Sequence, residues 1–406
     1  MGRINDLIKE MCPNGVECKT IGEICYFQNG YAFKSSLFKS KGDILLRITN
    51  IDGKKIDLSD VKYIDVFDYN IDLSPFKVGS DEIVIAMSGA TTGKIGINRT
   101  GKLLYLNQRV GKITPRDDRM NNHFLYHYLL NKVNYFYQLA GGGAQPNLSS
   151  DAIKNTIIPI PPLEVQEEIV KILDKFGELE AELEAELEAR KSQYEFWREK
   201  LLNDDNLVTI GDLLEDKGYI RGPFGSALVK ADMVSEGIPV YEQQHAIYNH
   251  RNFRYFISLD KAKKLERFSI KPNDLIISCS GTVGKVSVIS DNDPKGIINQ
   301  ALLILRLNKK LIMPKYMKYY LESPVGYRSI TSNTNKSAQV NIANRETIEK
   351  IKISVPSLEH QKHIVNILDK FDALVNDISE GLPAEIELRR KQYEYYRNKL
   401  LSFEEL

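Results

Sequence analysis

The apolar positions of two segments recur at the heptad-like spacing of helices that pack against a partner helix. One seam comprises Ile169, Phe176, Leu183 and Trp197, and the matching seam comprises Ile364, Phe371 and Ile378. As a helix, the roughly 40 residues from Leu163 to Leu202 would span about 60 Å. We therefore predict two long helices that pack against each other as an antiparallel coiled coil.

Short apolar runs bounded by polar turns fill the rest of the chain and predict strands. The clearest are GDILLRITNI, DEIVIAMSG, NDLIISCSG, VSVIS and ALLILRLN. Two other stretches, NNHFLYHYLLNKVNYFYQLA from Asn121 and MPKYMKYYLESP from Met313, have helical spacing. The pattern predicts an α+β protein in which two α/β domains are separated by the two long helices.

An internal repeat organises these elements. PLEVQEEIVKILDKF at 162–176 returns as SLEHQKHIVNILDKF at 357–371, and ARKSQYEFWREKLL returns as LRRKQYEYYRNKLL. Shorter echoes precede them in the same order, namely KTIGEI and VTIGDL, MSGATTGK and CSGTVGK, LNQ and INQ, and AQPNLS and AQVNIA. We therefore expect a pseudo-twofold repeat with a first domain at 1–160, a central helix at 161–203, a second domain at 204–356 and a distal helix at 357–406.

The two long helices differ in their middle parts. The first contains ELEAELEAELEA, which is explained by high helix propensity and a solvated, glutamate-rich face. The second carries four more residues in the corresponding stretch and includes SEGLPAEI. Gly381 and Pro383 in that sequence predict a break or kink in the helix.

Charge is segregated along the chain although the total is only +1. The four successive segments carry net charges of +4, −6, +6 and −3. Clustered Lys and Arg suit phosphate contacts, so we expect the two domains, and not the helices, to face nucleic acid. The alternative explanation is that helices simply favour glutamate.

Several classes of protein are not expected from this sequence. It has no apolar run long enough for a membrane span and no signal peptide at its start, so we expect a cytoplasmic protein without membrane contact. Its cysteines, Cys12, Cys18, Cys25 and Cys279, contain no CxxC pair, so reduced thiols are expected. No methyltransferase motif of the NPPF or DPPY kind and no nuclease carboxylate cluster occurs. We therefore expect no catalytic site, no cofactor and no metal.

The two glycine–lysine motifs only superficially resemble a phosphate-binding loop. MSGATTGK is one residue short of GxxxxGK, CSGTVGK is shorter again, and Ile95 stands where Ser or Thr would bind magnesium. The open alternatives are a turn that presents Lys94 and Lys285 to DNA phosphates and a plain hairpin turn. GGGAQPN from Gly141 is expected to form a flexible loop that contacts DNA. His123 and His127 have metal-ligand spacing, but aromatic packing explains them better because no third ligand follows.

With these motifs the chain resembles the specificity subunits of Type I restriction-modification systems. PLEVQEEIVKILDKF and QYEFWREKLL resemble the conserved regions of that family, and the flanking blocks resemble its two target recognition domains. The resemblance implies that each domain reads one half of a split, asymmetric site in double-stranded DNA while the helices set the gap. ELEA resembles a repeat whose copy number varies in the family, and one added unit would lengthen a helix by about 6 Å.

The resemblance also implies partners. Two modification subunits would bind the helices and methylate adenine with S-adenosylmethionine, and restriction subunits that combine translocase and nuclease activity would join that core. The chain itself would be non-catalytic. A purely structural coiled-coil scaffold and a stand-alone nucleotide-binding enzyme are the alternative functions.

Candidate residues follow from the repeat, since base reading requires positions at which the halves diverge. The DNA-binding candidates are Gln28, Asn29, Lys34, Arg47, Asn50 and Lys94 in the first domain and Arg221, Gln243, Gln244, His245 and Lys285 in the second. Tyr, Trp and Arg are enriched at interface hot spots. The partner-binding candidates are Gln193, Tyr194, Trp197 and Arg198 with Gln392, Tyr393, Tyr396 and Arg397; the alternative is that they only seal the two helices together.

Overall fold

The protein folds into two compact units in a computed structural model that describes residues 2–141, 146–203, 205–331 and 342–406. Unit 1 comprises Met1–Glu182 with Ile386–Leu406, and unit 2 comprises Leu183–Glu385. Each unit therefore combines one α/β domain with parts of the helical segments. None of the helices in the described ranges is long and apolar enough to cross a membrane.

Helices and strands alternate along both units. The helices are α1 (Gly2–Met11), α2 (Ile21–Ile24), α3 (Asn122–Asn131), α4 (Val133–Leu139), α5 (Ser150–Lys154), α6 (Leu163–Leu201), α7 (Gln243–Ile247), α8 (Leu259–Lys264), α9 (Pro314–Glu322), α10 (Pro324–Thr331), α11 (Arg345–Glu349), α12 (Leu358–Asn376) and α13 (Leu382–Leu400). The strands of unit 1 are β1 (Glu17–Thr20), β2 (Cys25–Asn29), β3 (Asp43–Leu46), β4 (Lys62–Ile64), β5 (Lys77–Val78), β6 (Ile83–Ala86), β7 (Ile95–Ile97), β8 (Leu104–Leu106), β9 (Val110–Pro115) and β10 (Ile157–Ile160). Those of unit 2 are β11 (Leu207–Thr209), β12 (Leu214–Arg221), β13 (Met233–Val234), β14 (Ile238–Tyr241), β15 (Phe256–Ile257), β16 (Leu275–Ser278), β17 (Val286–Val288), β18 (Ile297–Ile298), β19 (Leu302–Leu307) and β20 (Lys352–Ser354).

Two of the three sheets match strand for strand between the units, whereas the third differs at one edge, where β5 pairs with β8 in unit 1 and β13 pairs with β15 in unit 2. Unit 1 has the strand orders β1-β10, β2-β9-β6-β7 and β4-β3-β8-β5, and unit 2 has β11-β20, β12-β19-β16-β17 and β13-β15-β14-β18. Within these sheets one pair in each unit is parallel, β3 with β8 and β14 with β18. The internal repeat in the sequence is therefore a repeat of the fold, and the α+β class is confirmed.

The helices follow the predicted pattern with one division. The helix expected from Asn121 is two helices, α3 and α4, with Lys132 between them. Asn121 begins α3 by accepting hydrogen bonds from the backbone N–H groups of His123 and Phe124. The break expected at Gly381 and Pro383 is present, since α12 ends at Asn376 and α13 begins at Leu382.

Parts of the helical segments belong to the core of each unit. In unit 1, Ile169 and Leu173 of α6 and Tyr393 of α13 are buried in the same apolar cluster. Phe176 stacks on Tyr396 with ring centroids 5.4 Å apart. Further along α6, Glu180 accepts a 2.6 Å bond from Arg390, which precedes Tyr396, so α6 and α13 run antiparallel there. In unit 2, Tyr194 of α6 packs against Phe371 of α12.

A buried glutamine fixes the start of the helix to the domain in unit 1. Gln166 is fully buried, and its amide donates to the carbonyls of Arg119 at 2.6 Å and Pro161 at 2.7 Å. Its carbonyl oxygen accepts from the Asn121 N–H at 2.8 Å. All three partners are backbone groups, so the side chain satisfies polar atoms that would otherwise be buried without partners.

Gln361 makes the same three contacts in unit 2. Its amide donates to the carbonyls of Leu311 at 3.1 Å and Pro356 at 2.8 Å, and its oxygen accepts from the Met313 N–H at 2.8 Å. Gln361 is also fully buried. The repeated glutamine therefore joins the start of the helix to the domain by the same hydrogen bonds in both units.

Asp174 and Asp369, which are equivalent in the two ILDKF motifs, are each held by a pair of side chains four residues apart. Asp174 contacts His127 at 3.0 Å and His123 at 3.1 Å. Asp369 instead accepts from the Tyr319 hydroxyl at 2.7 Å and from Lys315 at 2.8 Å. The position of the contact is the same in both units, but only unit 1 makes it with histidine.

Burial is the main influence on the ionisation of the unit 1 pair. It lowers the pKa of His127, whose Nδ1 lies 3.0 Å from the Tyr393 hydroxyl. Burial opposes ionisation of Asp174, but hydrogen bonds from His127 and His123 outweigh it and hold the pKa of Asp174 well below its usual range. A neutral His127 that donates from Nε2 to an ionised Asp174 satisfies all three groups.

Replacement of Gln166 by leucine is expected to destabilise unit 1 selectively. The buried carbonyl of Pro161 and two partly buried backbone groups lose their partner, and the buried carbonyl alone costs about 1 kcal/mol or more. Amide hydrogen exchange of the full chain should quicken in unit 1 and stay unchanged in unit 2, and Gln361→Leu should give the reverse. Lys171→Leu, at an exposed position of the same helix, is the control and should have little effect. Equal loss of protection in both units would contradict a selective role of each glutamine in its own unit.

The buried His127 predicts a pH dependence of stability. Its folded pKa lies below the unfolded value of about 6.5, so the unfolded chain binds more protons and unit 1 loses stability as the pH falls through that value. The contribution of Asp174 is lost only below about pH 4. Thermal unfolding at pH 7.5 and pH 5.5 measures the first effect.

A matched control for this pH effect comes from the other unit. The double variant His123→Lys with His127→Tyr copies Lys315 and Tyr319 and should lose less stability between the two pH values. Buried His245, whose pKa burial also lowers, continues to contribute in unit 2. An unchanged pH dependence in the double variant would rule out His127 as a source.

Candidate nucleic-acid interface and partner-binding helices

Each unit has a tight polar turn between two strands of different sheets. In unit 1 the turn Asn107–Arg109 joins β8 to β9, and in unit 2 the turn Asn299–Ala301 joins β18 to β19. The asparagine side chain closes each turn by accepting a backbone N–H, from Gln108 at 2.8 Å and from Ala301 at 3.0 Å. These turns are the LNQ and INQ motifs of the sequence.

A glycine packs against each of these turns. A Cβ atom at Gly30 would lie 2.0 Å from the carbonyl oxygen of Asn107, and one at Gly222 would lie 1.9 Å from that of Asn299. No side chain fits at either position. This close approach brings the end of β2, with the predicted residue Asn29, beside the turn of unit 1.

The segment after β3 and its counterpart after β14 also contact the turns. The N–H of Asn107 donates to the carbonyl of Leu46 at 3.0 Å, and that of Asn299 donates to the carbonyl of Tyr241 at 2.9 Å. Arg47 is therefore the structural equivalent of Glu242. The same alignment makes Gln243 and Gln244 the counterparts of residues 48 and 49.

The glycine–lysine loops are hairpin connections. Each joins two antiparallel strands, β6 to β7 and β16 to β17, whereas a nucleotide-binding phosphate loop leads into a helix. Thr91 of the first loop donates to the carbonyl of Ile48 at 3.1 Å. In the second loop, the Gln243 amide donates to the carbonyls of Ser280 and Thr282. The loops therefore lie beside the same segments as the turns.

Most of the predicted DNA-binding side chains reach the surface. Asn29, Lys34 and Lys285 are exposed, and the half-buried ones are Gln28, Arg47, Lys94, Arg221, Gln243 and Gln244. In unit 1 the turn contacts bring Asn29 and Arg47 together, whereas Lys34 lies apart before a short helical turn at Ser35–Leu37.

Asn50 and His245 have a different role from the one expected. Asn50 is buried, and its amide donates to the carbonyls of Asp57 at 3.0 Å and Asp60 at 2.9 Å. His245 is fully buried and accepts from the Glu242 N–H at 2.7 Å. Burial lowers the pKa of His245, so it stays neutral near pH 7. A base contact would require breaking these bonds, so both residues are structural in this conformation.

The predicted loop GGGAQPN lies largely outside the described residues, which omit 142–145. The matching AQVNIA motif also falls mostly within the undescribed range 332–341. Among the residues that are described, no group of three or more His, Cys, Asp or Glu side chains is arranged to hold a metal ion. Burial raises the pKa of the Cys25 and Cys279 thiols to about 12, so both are unreactive.

Sequence reasoning missed Gln108 and Arg109. Both are exposed, and they line a pocket of about 290 Å³ together with Arg47, Ile48, Thr49 and Asn107. The repeated LNQ motif was the available signal, since it marked a common structural element. It did not show that an arginine follows the motif at the surface in unit 1 alone.

Part of the predicted partner-binding strip instead packs inside the units. Tyr194, Arg198 and Tyr393 are buried. The Arg198 guanidinium lies over the Tyr194 ring, and the Arg397 guanidinium lies over the Tyr393 ring. Of these residues, Tyr194 also packs against Phe371 of α12, which matches the alternative explanation that the strip seals the helices.

Exposed aromatic side chains lie two and three positions after the buried tyrosine of α6 and two positions after that of α13. Phe196 is 60% exposed, and its counterpart in the repeat, Tyr395, is 61% exposed. Trp197 is also exposed and contacts Phe196 edge to face, whereas Tyr396 is half-buried. Gln193 is exposed and Gln392 is half-buried; both accept a bond from an arginine of their own helix. Sequence reasoning missed Phe196 and Tyr395, although QYEF and QYEY carried them.

The two matching α/β units, their paired polar turns and the long helices define a duplicated two-domain protein. The model of the Type I restriction modification DNA specificity domain matches residues 13–189 and again residues 206–388. The chain belongs to this family. The resemblance to Type I specificity subunits is thereby confirmed.

Relatives of this family match over much of the chain. A putative type I restriction enzyme specificity subunit of Haemophilus influenzae is 36% identical over 296 residues, which cover 70% of this chain and 73% of the relative. The Type I restriction enzyme EcoBI specificity subunit of Escherichia coli is 22% identical over 394 residues, which cover 89% of this chain and 80% of the relative.

Solved structures share the fold at low sequence identity. The crystal structure of a Type I restriction-modification S subunit from M. genitalium has a TM-score of 0.56 at 15% identity and covers 96% of this chain and 97% of that one. A chain from a structural study of assembly and conformational transition in a type I restriction-modification system has a TM-score of 0.62 at 19% identity, covering 96% and 98%. The duplicated architecture with long helices is therefore that of S subunits.

Proposed function

We propose that this chain is the DNA-recognition subunit of a Type I restriction-modification complex and is itself non-catalytic. Each unit reads one half of a bipartite, asymmetric site in double-stranded DNA. The helices bind two modification subunits, which methylate adenine, and restriction subunits join that assembly. The division into target recognition domains at 1–160 and 204–356, with helical spacers between and after them, is part of the proposal.

One observation carries the proposal. The two units share a backbone framework at the polar turns, down to single hydrogen bonds, yet the side chains on that framework differ. Arg47 is replaced by Glu242, which Arg254 pairs with at 2.8 Å. A shared scaffold with different surface chemistry suits two readers of two different sequences.

The exposed aromatic residues support the docking of a partner. Exposed Phe196 and Tyr395 lie on the repeated helical motif and not in the α/β domains. Large aromatic side chains are the usual hot spots of protein interfaces, whereas DNA contacts depend on basic and polar groups. Equivalent positions in the two repeats would suit two copies of one partner.

Co-expression with the neighbouring modification subunit in a methylation-free host tests DNA recognition. Mapping of N6-methyladenine across the genome should give a split motif, two short fixed blocks around a constant number of unspecified bases. Exchange of residues 20–155 for those of a related chain should change one block only. A continuous or palindromic motif would contradict two independent readers, and absence of methylation from a folded, associated complex would contradict DNA recognition.

Alanine at Phe196 or Tyr395 is expected to weaken binding of the modification subunit without loss of fold. Truncation of a hot-spot aromatic costs about 2 kcal/mol or more, so each substitution should weaken binding about 30-fold, and the pair should prevent co-purification. Ile378→Ala is the matched control, since Ile378 is 84% exposed but lies between α12 and α13. Loss of binding with Ile378→Ala and not with Phe196→Ala would contradict this surface.

A further inference from the structure

Residues 109 and 301 occupy the same place in the two units. The carbonyl of Arg109 accepts from the Met87 N–H at 2.9 Å, and the carbonyl of Ala301 accepts from the Cys279 N–H at 2.8 Å. Met87 and Cys279 are themselves equivalent as the first residues of the glycine–lysine motifs. The backbone hydrogen bonds and the repeated motif therefore give the same alignment of the two positions.

The side chains at this shared position differ in whether they can donate hydrogen bonds. Arg109 is exposed, and one of its amino groups donates to the hydroxyl of Ser88 at 3.3 Å. Ser88 is buried, so its hydroxyl anchors one terminal amino group of an arginine side chain that is otherwise exposed. Ala301 has no group that could donate a hydrogen bond to a ligand.

A second arginine lies beside Arg109, namely Arg47, whose guanidinium is 3.6 Å from the exposed carboxylate of Asp60. Arg47 and Arg109 line the same pocket, together with the amides of Asn107 and Gln108. At the equivalent of Arg47, unit 2 has Glu242, whose charge is paired with Arg254 through bonds of 2.8 and 2.9 Å. At these two positions unit 1 has arginine where unit 2 has glutamate and alanine, although unit 2 has Arg221 beside its turn where unit 1 has Asn29.

The residue before this position is glutamine in both units. Gln108 and Gln300 are identical, equivalent and both exposed. A contact made by this glutamine is available in both units, so it cannot by itself distinguish two half-sites. The two turns differ at the next position, which is Arg109 in unit 1 and Ala301 in unit 2.

We propose that Arg109 is a base-reading residue of unit 1, which binds the major-groove edge of a guanine in the half-site that unit 1 recognises. Arginine pairs with the O6 and N7 atoms of guanine through two parallel N–H donors, and the bond to Ser88 holds the guanidinium in position for that geometry. Unit 2 lacks this contact because it has Ala301. The inference rests on the proposed function and adds a residue and a base to it.

The test uses the complex with the modification subunit. Arg109→Ala places in unit 1 the residue that unit 2 already has on the same framework, so the variant is expected to fold. Its methylation map should lose the guanine requirement at one position of one block and leave the other block unchanged. Binding to duplexes with each base pair of that block replaced in turn should show about a tenfold or larger loss of discrimination at that position.

Two further variants separate base reading from charge. Arg109→Lys keeps the charge but loses the paired donors, so it should relax the same position. Lys102→Ala removes an exposed charge near the opposite end of β8 and should leave the motif unchanged. Co-purification with the modification subunit checks the fold of each variant.

The remaining outcomes overturn the proposal. Uniformly weaker methylation with an unchanged motif in Arg109→Ala, restored by Arg109→Lys, would make Arg109 a phosphate contact. An unchanged map in Arg109→Ala would exclude any role in recognition. A wild-type complex that gives no split motif would instead refute the proposed function, and this outcome is visible before any variant is made.

Discussion

Both units depend on one buried amide at the start of a long helix. Gln166 and Gln361 are fully buried, and each satisfies three backbone groups, one of them a buried proline carbonyl that is costly to leave without a partner. The geometry of an amide that donates twice and accepts once leaves little freedom in the angle of the helix. The start of each helix, α6 in unit 1 and α12 in unit 2, is therefore a fixed part of that unit.

A backbone that is fixed in the same way in both units would allow one fold to carry different surface side chains. Gly30 and Gly222 hold the turns at a distance that no side chain allows, and the asparagine at the start of each turn closes it. These positions must stay the same for the fold to persist. The neighbouring surface positions carry no such requirement, so they are the ones that can diverge without cost to stability, as Arg109 and Ala301 do.

The sequence predicted the duplicated architecture because repeats and apolar periodicity are local signals. The ILDKF and QYE motifs located the helices, and Gly381 with Pro383 located the break between α12 and α13. Individual site residues were harder, because burial depends on the whole fold. Asn50 and His245 looked like base readers in the sequence, but they fill the interior behind the turns. Phe196 and Arg109 are exposed, and which side of a helix or turn is left exposed depends on the packing of the whole unit, which periodicity alone does not show.

The boundary between the units gives the ELEA repeat a physical context. Unit 1 ends at Glu182 and unit 2 begins at Leu183, both within that repeat. On the unit 1 side, Glu180 is held by Lys54 at 2.8 Å and by Arg390 at 2.6 Å. Leu187, further along the repeat, instead packs against the apolar core of unit 2. The repeat therefore lies where α6 passes from the core of one unit to the core of the other, so its residues are divided between two sets of packing partners.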